Sequence, residues 1–446
     1  MPAIEEKQSR RPLRVVIIGA GPGGLVLAQL LHKDKRFAVT VYERGTPEGD
    51  GHSLAGFRIL MPPATFDCLR GQVDREVQDL LDRAVGLSQP QGNRTCLMDQ
   101  YCRVKYRSDT TEQARSMHSI SRWKLRKALL HNSSEFVHFN RQFERYEADE
   151  NGVRAHFADG ESIECDVLVG ADGAGSRIRK QLIPNSTRHD TGVTIIYFKA
   201  PFTPETEAMI PWGSGGMVLS PRKSMVISYF KNPEKPYGPY HLENIDPDDS
   251  FLMVGMGCYS DEFHNQSKSP DDMTPEELKD ECLARAQQWH PLLLSLVAIT
   301  VPNSVFVARI KTQDLIDPWE TGSVTLLGDA AHSMTPYLGK GASSAIADAM
   351  SLAETLKLGS EIPLGERLAE YEKSMLKRGF ADARSSMLVH HLVFTAGNTP
   401  WRARLRNMAL CALDMYFTHP ATLPEPFPVR YSKEFKQAKQ KNKKNV

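Results

Sequence analysis

The segment RVVIIGAGPGGLVLAQLLHKDKRFAVTVYER, Arg14 to Arg44, constrains the fold more than any other stretch of this chain. Arg14 to Ile18 is a β-branched run suited to a buried parallel strand. Gly19, Gly21 and Gly24 follow as G-x-G-x-x-G, Leu25 to Leu31 reads as a helix, and AVTVYE reads as a second strand. The three glycines serve a tight turn, a close backbone approach to a pyrophosphate and the packing of helix on sheet. The helix N-terminus offers free N–H groups and positive dipole to phosphate oxygens. Glu43 ends the second strand 19 residues after Gly24, where a carboxylate meets ribose hydroxyls. The unit predicts a dinucleotide site, without separating FAD from NAD.

Two later segments repeat the strand–turn–helix pattern. CDVLVGADGAGSRIRKQL, Cys165 to Leu182, has a buried strand, a turn at Asp172-Gly173 and a helix capped by Ser176. SVTLLGDAAHSMTPYLGKGASSAIADA, Ser323 to Ala349, runs from a strand through Gly-Asp and a Pro/Gly-rich loop into another helix. Both place an acid or backbone amides at the carboxyl edge of a sheet, where open α/β sheets bind ligands.

Composition narrows the remaining classes. A chain of 446 residues is too long for one simple core, and its 41% hydrophobic and 24% charged residues are ordinary for a globular protein. The net charge of +1 gives no reason to expect nucleic acid. A basic tail from Lys433 onward carries six lysines and reads as a solvated terminus. Seven dispersed cysteines without a CxxC pair argue for reduced thiols in a cytosol-like, cytoplasmic setting and against a metal cluster. No signal peptide and no apolar run of membrane-spanning length is present, so the sequons at Asn132, Asn185 and Asn265 read as coincidental.

The three motifs GAGPGG, GADGAGSRIR and LLGDAAHSMTP, in this order and spacing, resemble the FAD-dependent aromatic-hydroxylase family. These are flavoprotein monooxygenases with the para-hydroxybenzoate hydroxylase fold, and the chain looks most like members from fungal secondary metabolism. The resemblance covers residues 12 to 390. It implies an α/β fold: a Rossmann-type FAD-binding domain, an inserted antiparallel β-sheet substrate domain and C-terminal helices. The expected divisions are an FAD-binding part at 12–190, a β-rich substrate part at 191–319, a second FAD-binding part at 320–395, and a C-terminal helix with basic tail at 396–446.

Carried over by position, the resemblance implies that Gly19, Gly21, Gly24 and Glu43 serve the adenosine half of FAD. Gly56, in HSLAGFRI, matches a backbone position against the cofactor, and Arg122, in SISRWKLRKAL, matches an Arg at its phosphate and ribitol. Asp172 with Gly173 matches a motif tied to FAD and NAD(P)H handling. Asp329 matches the acid on the ribityl chain. Pro336, Gly339, Gly341 and Ala342 form the loop and helix start along the flavin edge. No metal is expected. NADPH or NADH acts transiently in a groove, and a flavin hydroperoxide transfers one oxygen atom from O2 to a small aromatic, indolic or prenylated substrate.

The loop suits a wall for a flavin: glycines allow close approach, Pro336 stiffens the backbone, and a helix dipole faces developing negative charge. Lys340 stands where the family more usually has a neutral residue and reads as solvent-directed; His332 reads as structural. The candidate catalytic residues are Arg58 and Tyr229. Arg58 offers a guanidinium for a carboxylate, phenolate or nicotinamide phosphate. Trp212, Tyr229, Phe230 and Tyr259 are candidate pocket residues, each of an aromatic type more often found packing a core. The C-terminal helices either buttress the FAD domain or meet a second copy in a homodimer. The competing functions are a flavin-dependent reductase or oxidase on the same scaffold, and a non-catalytic FAD-binding protein.

Overall fold

The computed structural model describes residues 11–47, 57–87, 95–107, 117–150, 152–210, 215–238, 248–358 and 362–417. Gly56, Trp212 and the basic tail lie outside the described residues.

Five short strands form a parallel sheet: β1 (Leu13–Ile18), β2 (Phe37–Tyr42), β3 (Val137–His138), β4 (Val167–Gly170) and β5 (Val324–Leu326), in the order β5-β4-β1-β2-β3. The inner strands are apolar on both faces because both are covered, by helices and by the antiparallel strands Phe143–Asp149, Gly152–Phe157 and Ser162–Cys165, whose Phe143, Ala155 and Phe157 join the same core; Val15, Ile17, Val167, Leu168 and Val169 are fully buried. Helix α1 (Pro22–Leu31) links β1 to β2, and α2 (Arg122–Leu129) lies beside it. The one-turn α3 (Asp329–His332) follows β5, and then come α4 (Gly341–Lys357), α5 (Leu364–His390) and α6 (Pro400–Phe417).

Small residues set how closely α1 and α4 approach. A Cβ on Gly23 would lie 3.0 Å from the carbonyl oxygen of Ala345. The ribbon Arg58–Met61 with His118–Ser121 packs Ile59, Met61 and Ile120 into the same core.

The second sheet has seven strands, in the order Val301–Gln313, Arg188–Pro201, Phe251–Tyr259, Lys223–Phe230, Gly215–Ser220, Thr95–Asp99 and Val104–Arg107. Its pairings are antiparallel except that Gly215–Ser220 runs parallel to Thr95–Asp99. Strands from ahead of residue 190 thus extend the sheet that the sequence places at 191–319. The strand Arg188–Pro201 shows why both faces are apolar. Ile196, Phe198 and Ala200 point to a core under the helices Pro275–Arg285 and Pro291–Ala298. Val193, Ile195 and Tyr197 point the other way, to Phe57, Val393, Phe394 and Leu410. Helix α6 is fastened to the far edge of this sheet: the Arg107 backbone N–H donates to Asp414 Oδ1 at 2.8 Å, and the guanidinium pairs with Oδ2 at 3.2 Å. It therefore buttresses the large sheet rather than the parallel one.

Candidate functional site

The three glycine-rich turns leave the same edge of the parallel sheet. Ile18 on β1 sits beside Gly170 on β4, which sits beside Leu326 on β5. Two of the glycines in the first turn are demanded by the protein itself. Gly19 has φ +112°, and a Cβ there would lie 2.3 Å from the Ala171 carbonyl oxygen; a Cβ on Gly24 would lie 2.1 Å from that of Gly19. Gly21, Gly173 and Gly175 differ in having open space where a Cβ would stand, nothing lying within 4 Å, although Gly173 at φ +75° is also held to glycine by its backbone. These three line an open cradle into which the N-terminus of α1 points, with Gly21 as its cap and no side chain satisfying its N–H groups.

Charged residues surround the cradle. Glu43, at the end of β2, accepts from the N–H of Ala20 at 2.7 Å and of Gly45 at 2.8 Å. Arg126 donates to the Ala20 carbonyl at 2.6 Å, which fixes the turn from the other side. Arg122 opens α2, whose cap Ser121 accepts from the Lys124 N–H. Arg122 is half-buried, and its guanidinium has no hydrogen-bond partner among the described residues. Burial pulls the pKa of Arg122 down, and the charge of Asp329 opposes that. Residues far apart in sequence are thus brought together across the cradle. Asp172 accepts from the Arg177 N–H at 2.8 Å through one oxygen, while the other is buried and unpartnered. Burial raises its pKa.

Asp329 is exposed at the start of α3, after Gly328 at φ +59°. Its Oδ1 lies 3.7 Å from where a Cβ on Gly341 would stand, which places the carboxylate at the mouth of α4. Pro336–Leu338 forms a single tight turn closed by Gly339 at φ +62°, whose N–H donates to the Pro336 carbonyl at 3.0 Å. Helix α4 then starts at Gly341 and Ala342 with no side chain capping it. Its first N–H groups face outward, a fixed positive end beside the loop.

His332 and Lys340 have structural partners. His332 is fully buried, and its Nε2 lies 2.6 Å from Asp348 Oδ2, which also accepts from the Gly328 N–H at 3.1 Å. The opposite oxygen of Asp348 pairs with Arg378 on α5 at 3.2 Å. The imidazole packs so tightly on α5 that a Cβ at Gly379 would lie 2.2 Å from it. This cluster ties α3, α4 and α5 together. Lys340 pairs with Asp382 of α5 at 2.7 Å, and Ser344 donates to the same carboxylate at 2.7 Å. Its ammonium therefore points to α5, neither freely to solvent nor to the cradle.

The pocket candidates divide. Arg58 and Leu60 share a face of their ribbon, and Leu60 touches the Gly339 position, so Arg58 faces the loop side. Its closest polar partner is Ser119 Oγ at 3.5 Å, and burial pushes its pKa down to about 10 although Tyr229 favours the charge. Tyr229 itself is buried, stacked on Phe202 at 4.7 Å in the core beneath the helices, and Phe230 stacks on Phe251 at 5.8 Å. Both rings pack in apolar clusters, and Tyr229 also acts on the charge of Arg58. Tyr259 packs edge-on to Phe394 at 5.7 Å with Arg222 over its face.

The structure adds residues that the motifs did not single out. Tyr337 follows Pro336 directly and packs near His390 and Phe394, at 5.5 and 6.1 Å between ring centroids. Its hydroxyl and the His390 Nδ1 are buried without partners. Burial and His391 push the His390 pKa down to about 4, so the imidazole is neutral near pH 7. Tyr197 and Phe306, stacked at 4.8 Å, continue this aromatic wall. Arg179 is buried and donates to the carbonyls of Ala174 and Ala330 at 2.9 and 2.8 Å, which locks the second turn to the third. Its position in SRIRKQL was visible, but an Arg on a helix start carries no sign of such a bridge.

The cradle fits FAD in chemistry: open glycines for a pyrophosphate, an unpartnered guanidinium, the half-buried Glu43 and exposed Asp329 carboxylates for hydroxyls, and two uncapped helix N-termini. The sequence matches the family model described as an FAD binding domain over residues 12–378. The chain belongs to this family. It is 27% identical over 440 residues to the dual O-methyltransferase/FAD-dependent monooxygenase elcB of Phaeosphaeria nodorum, covering 86% of this chain and 46% of that protein. With 44% coverage of the next such relatives, the chain spans about half the length of these curated proteins. It is also 27% identical over 402 residues to the FAD-dependent monooxygenase thnD of Trichoderma harzianum, covering 84% of this chain and 92% of that one. Among solved structures, a chain described as an FAD-containing monooxygenase from Photorhabdus luminescens superposes with a TM-score of 0.73 at 28% identity, over 86% of this chain and 99% of that one. A variant of HpxO from Klebsiella pneumoniae in complex with FAD shares the fold, with a TM-score of 0.70 at 20% identity over 90% and 94% of the two chains.

Proposed function

We propose that this FAD-binding-family protein is a monooxygenase that uses NADPH or NADH to place one oxygen atom from O2 into a small aromatic, indolic or prenylated substrate. The observation that carries the reading is the pairing of the open cradle with the loop Pro336–Gly341, which sets an uncapped helix end beside an aromatic wall. An FAD holder needs the cradle; it does not need that loop.

Bound FAD supplies the redox chemistry and the activation of O2. The residues have separable tasks in this reading. Gly21 and the N–H groups of α1 hold the pyrophosphate, and Glu43 meets the ribose through the lone pairs its two backbone contacts leave free. Arg122 neutralises phosphate charge, and Asp329 accepts from the ribityl hydroxyls. The N-terminus of α4 favours negative charge on the flavin edge without reorganising. Tyr197, Phe306, Tyr337 and Phe394 keep water from the reacting atoms, a need of any activated-oxygen chemistry. Arg58 orients an electron-rich or anionic substrate group from the loop side.

The test is NAD(P)H oxidation by the flavin-loaded protein, screened against phenolic, indolic and prenylated compounds. Stimulation by a compound, with matching O2 uptake and an oxygenated product, supports the reading. A substrate oxidised with hydrogen peroxide as the only oxygen product makes the protein an oxidase instead.

A further inference from the structure

The outward face of α6 is apolar along its length. Trp401, Leu405, Met408 and Met415 are 57, 56, 68 and 74% exposed, and Ala412 is exposed among them. These five positions advance by four, three, four and three residues, the spacing of a heptad seam. The helix is no loose end. Ala403, Arg406 and Leu410 bury the opposite face; Arg406 donates to the Val393 carbonyl at 2.9 Å, and Asp414 is held by Arg107. A clamped helix that turns Trp, Leu and two Met residues to solvent is an interaction surface.

We propose that this surface pairs with the same helix of a second copy, antiparallel, in a two-fold homodimer. In an antiparallel seam each residue of one heptad class meets one of the other class. Centring the axis between Leu405 and Met408 sets Leu405 against Met408 of the partner subunit and Trp401 against Ala412 of the partner subunit. The largest side chain thus meets the smallest. The flanking cations Arg402 and Arg404 then lie beside Ala409 and Cys411 of the partner subunit, so no like charges meet. A two-fold contact must be self-complementary in this way. A lipid surface asks only for an apolar face; it sets neither the four-three spacing nor the match of large with small. The inference stands apart from the flavin chemistry, since the stripe shares no residue with the cradle.

Sedimentation equilibrium of the flavin-loaded protein tests it. The expected mass is twice the chain's 49.9 kDa. Met408→Glu, which puts a carboxylate into the seam from each side, is expected to raise the dissociation constant about 100-fold or more, with flavin content unchanged. Met408→Lys should do the same, which separates charge repulsion from a folding defect. Mixing Met408→Glu with Leu405→Lys should restore the dimer, because the new charges face each other across the seam. A wild-type protein that stays monomeric at every concentration overturns the proposal, as does a Met408→Glu variant as dimeric as wild type. It also fails if monomeric wild type sediments with anionic phospholipid vesicles and Met408→Glu does not, which makes the stripe a membrane face.

Discussion

Gly24→Ala and Gly21→Ala place the same methyl group five ångströms or so apart along one helix start, and the account predicts opposite consequences. At Gly24 the new Cβ would stand 2.1 Å from the Gly19 carbonyl oxygen, a backbone atom that cannot swing aside. The turn and α1 must separate by nearly an ångström, against a sheet in which every neighbour is buried. Overpacking of this kind costs roughly 1–3 kcal/mol or more, and the better helix propensity of Ala returns about 1 kcal/mol. Because the atom met is backbone, the cost lies at the upper end of that range and the net is a loss of about 1–2 kcal/mol, a few degrees in Tm. At Gly21 φ is −75°, and the methyl meets nothing within 4 Å. Ala is a poorer helix cap than Gly, but it also restricts the unfolded chain, and the two effects are each on the order of 0.5–1 kcal/mol. The apoprotein should therefore melt within a degree or two of wild type. The methyl instead fills the space reserved for the pyrophosphate, so FAD affinity should fall at least about tenfold, roughly 1.4 kcal/mol. Apoprotein melting curves and FAD titration by flavin fluorescence separate the two variants. If Gly21→Ala binds FAD as wild type does, the cradle is not the pyrophosphate site. If Gly24→Ala melts like wild type, the close packing of turn and helix is wrong.

Arg122→Ala and Asp329→Ala should purify largely colourless yet folded, since neither side chain has a hydrogen-bond partner in the described fold; full flavin absorbance with normal turnover would contradict their placement. His332→Ala removes one member of a buried pair and leaves Asp348 under-satisfied, a cost of about 3 kcal/mol read from chemical unfolding. Burial lowers the His332 pKa, but the hydrogen bond and charge of Asp348 outweigh it, so the folded pKa is raised. The stabilisation is then fully present below about pH 6.5 and is lost as pH rises through the folded value, with the charge of Asp329 adding to it. That falling limb should vanish in His332→Ala, and its persistence would place the titration elsewhere. Lys340→Met should change stability by less than about 1 kcal/mol, because its pair with Asp382 is part-exposed, and should leave flavin content intact. Loss of flavin in that variant would mean that the ammonium reaches the cofactor.

The parallel sheet and its three turns were legible in the sequence because glycines, acids and β-branched runs occur there in fixed local patterns. What stayed hidden depends on contacts between distant segments. Arg179 bridges two turns through carbonyl oxygens of Ala174 and Ala330, and carbonyls leave no trace in side-chain identity. The strands Thr95–Asp99 and Val104–Arg107 join a sheet whose other members begin after residue 187, a pairing no local period announces. Tyr229 lies in the helix-covered core, a side of the sheet that strand alternation decides and its local sequence does not announce, while its charge still bears on Arg58. Lys340, read from sequence as solvent-directed, and His332, read as structural, both answer to α5, through Asp382 directly and through Asp348 and Gly379.

Oxygen transfer is read from turnover under isotopically labelled O2. With a compound that stimulates NAD(P)H oxidation, one labelled oxygen atom is expected per product molecule and one NAD(P)H consumed for each. A product whose added oxygen comes from water, or a reaction that yields only labelled hydrogen peroxide, would contradict it.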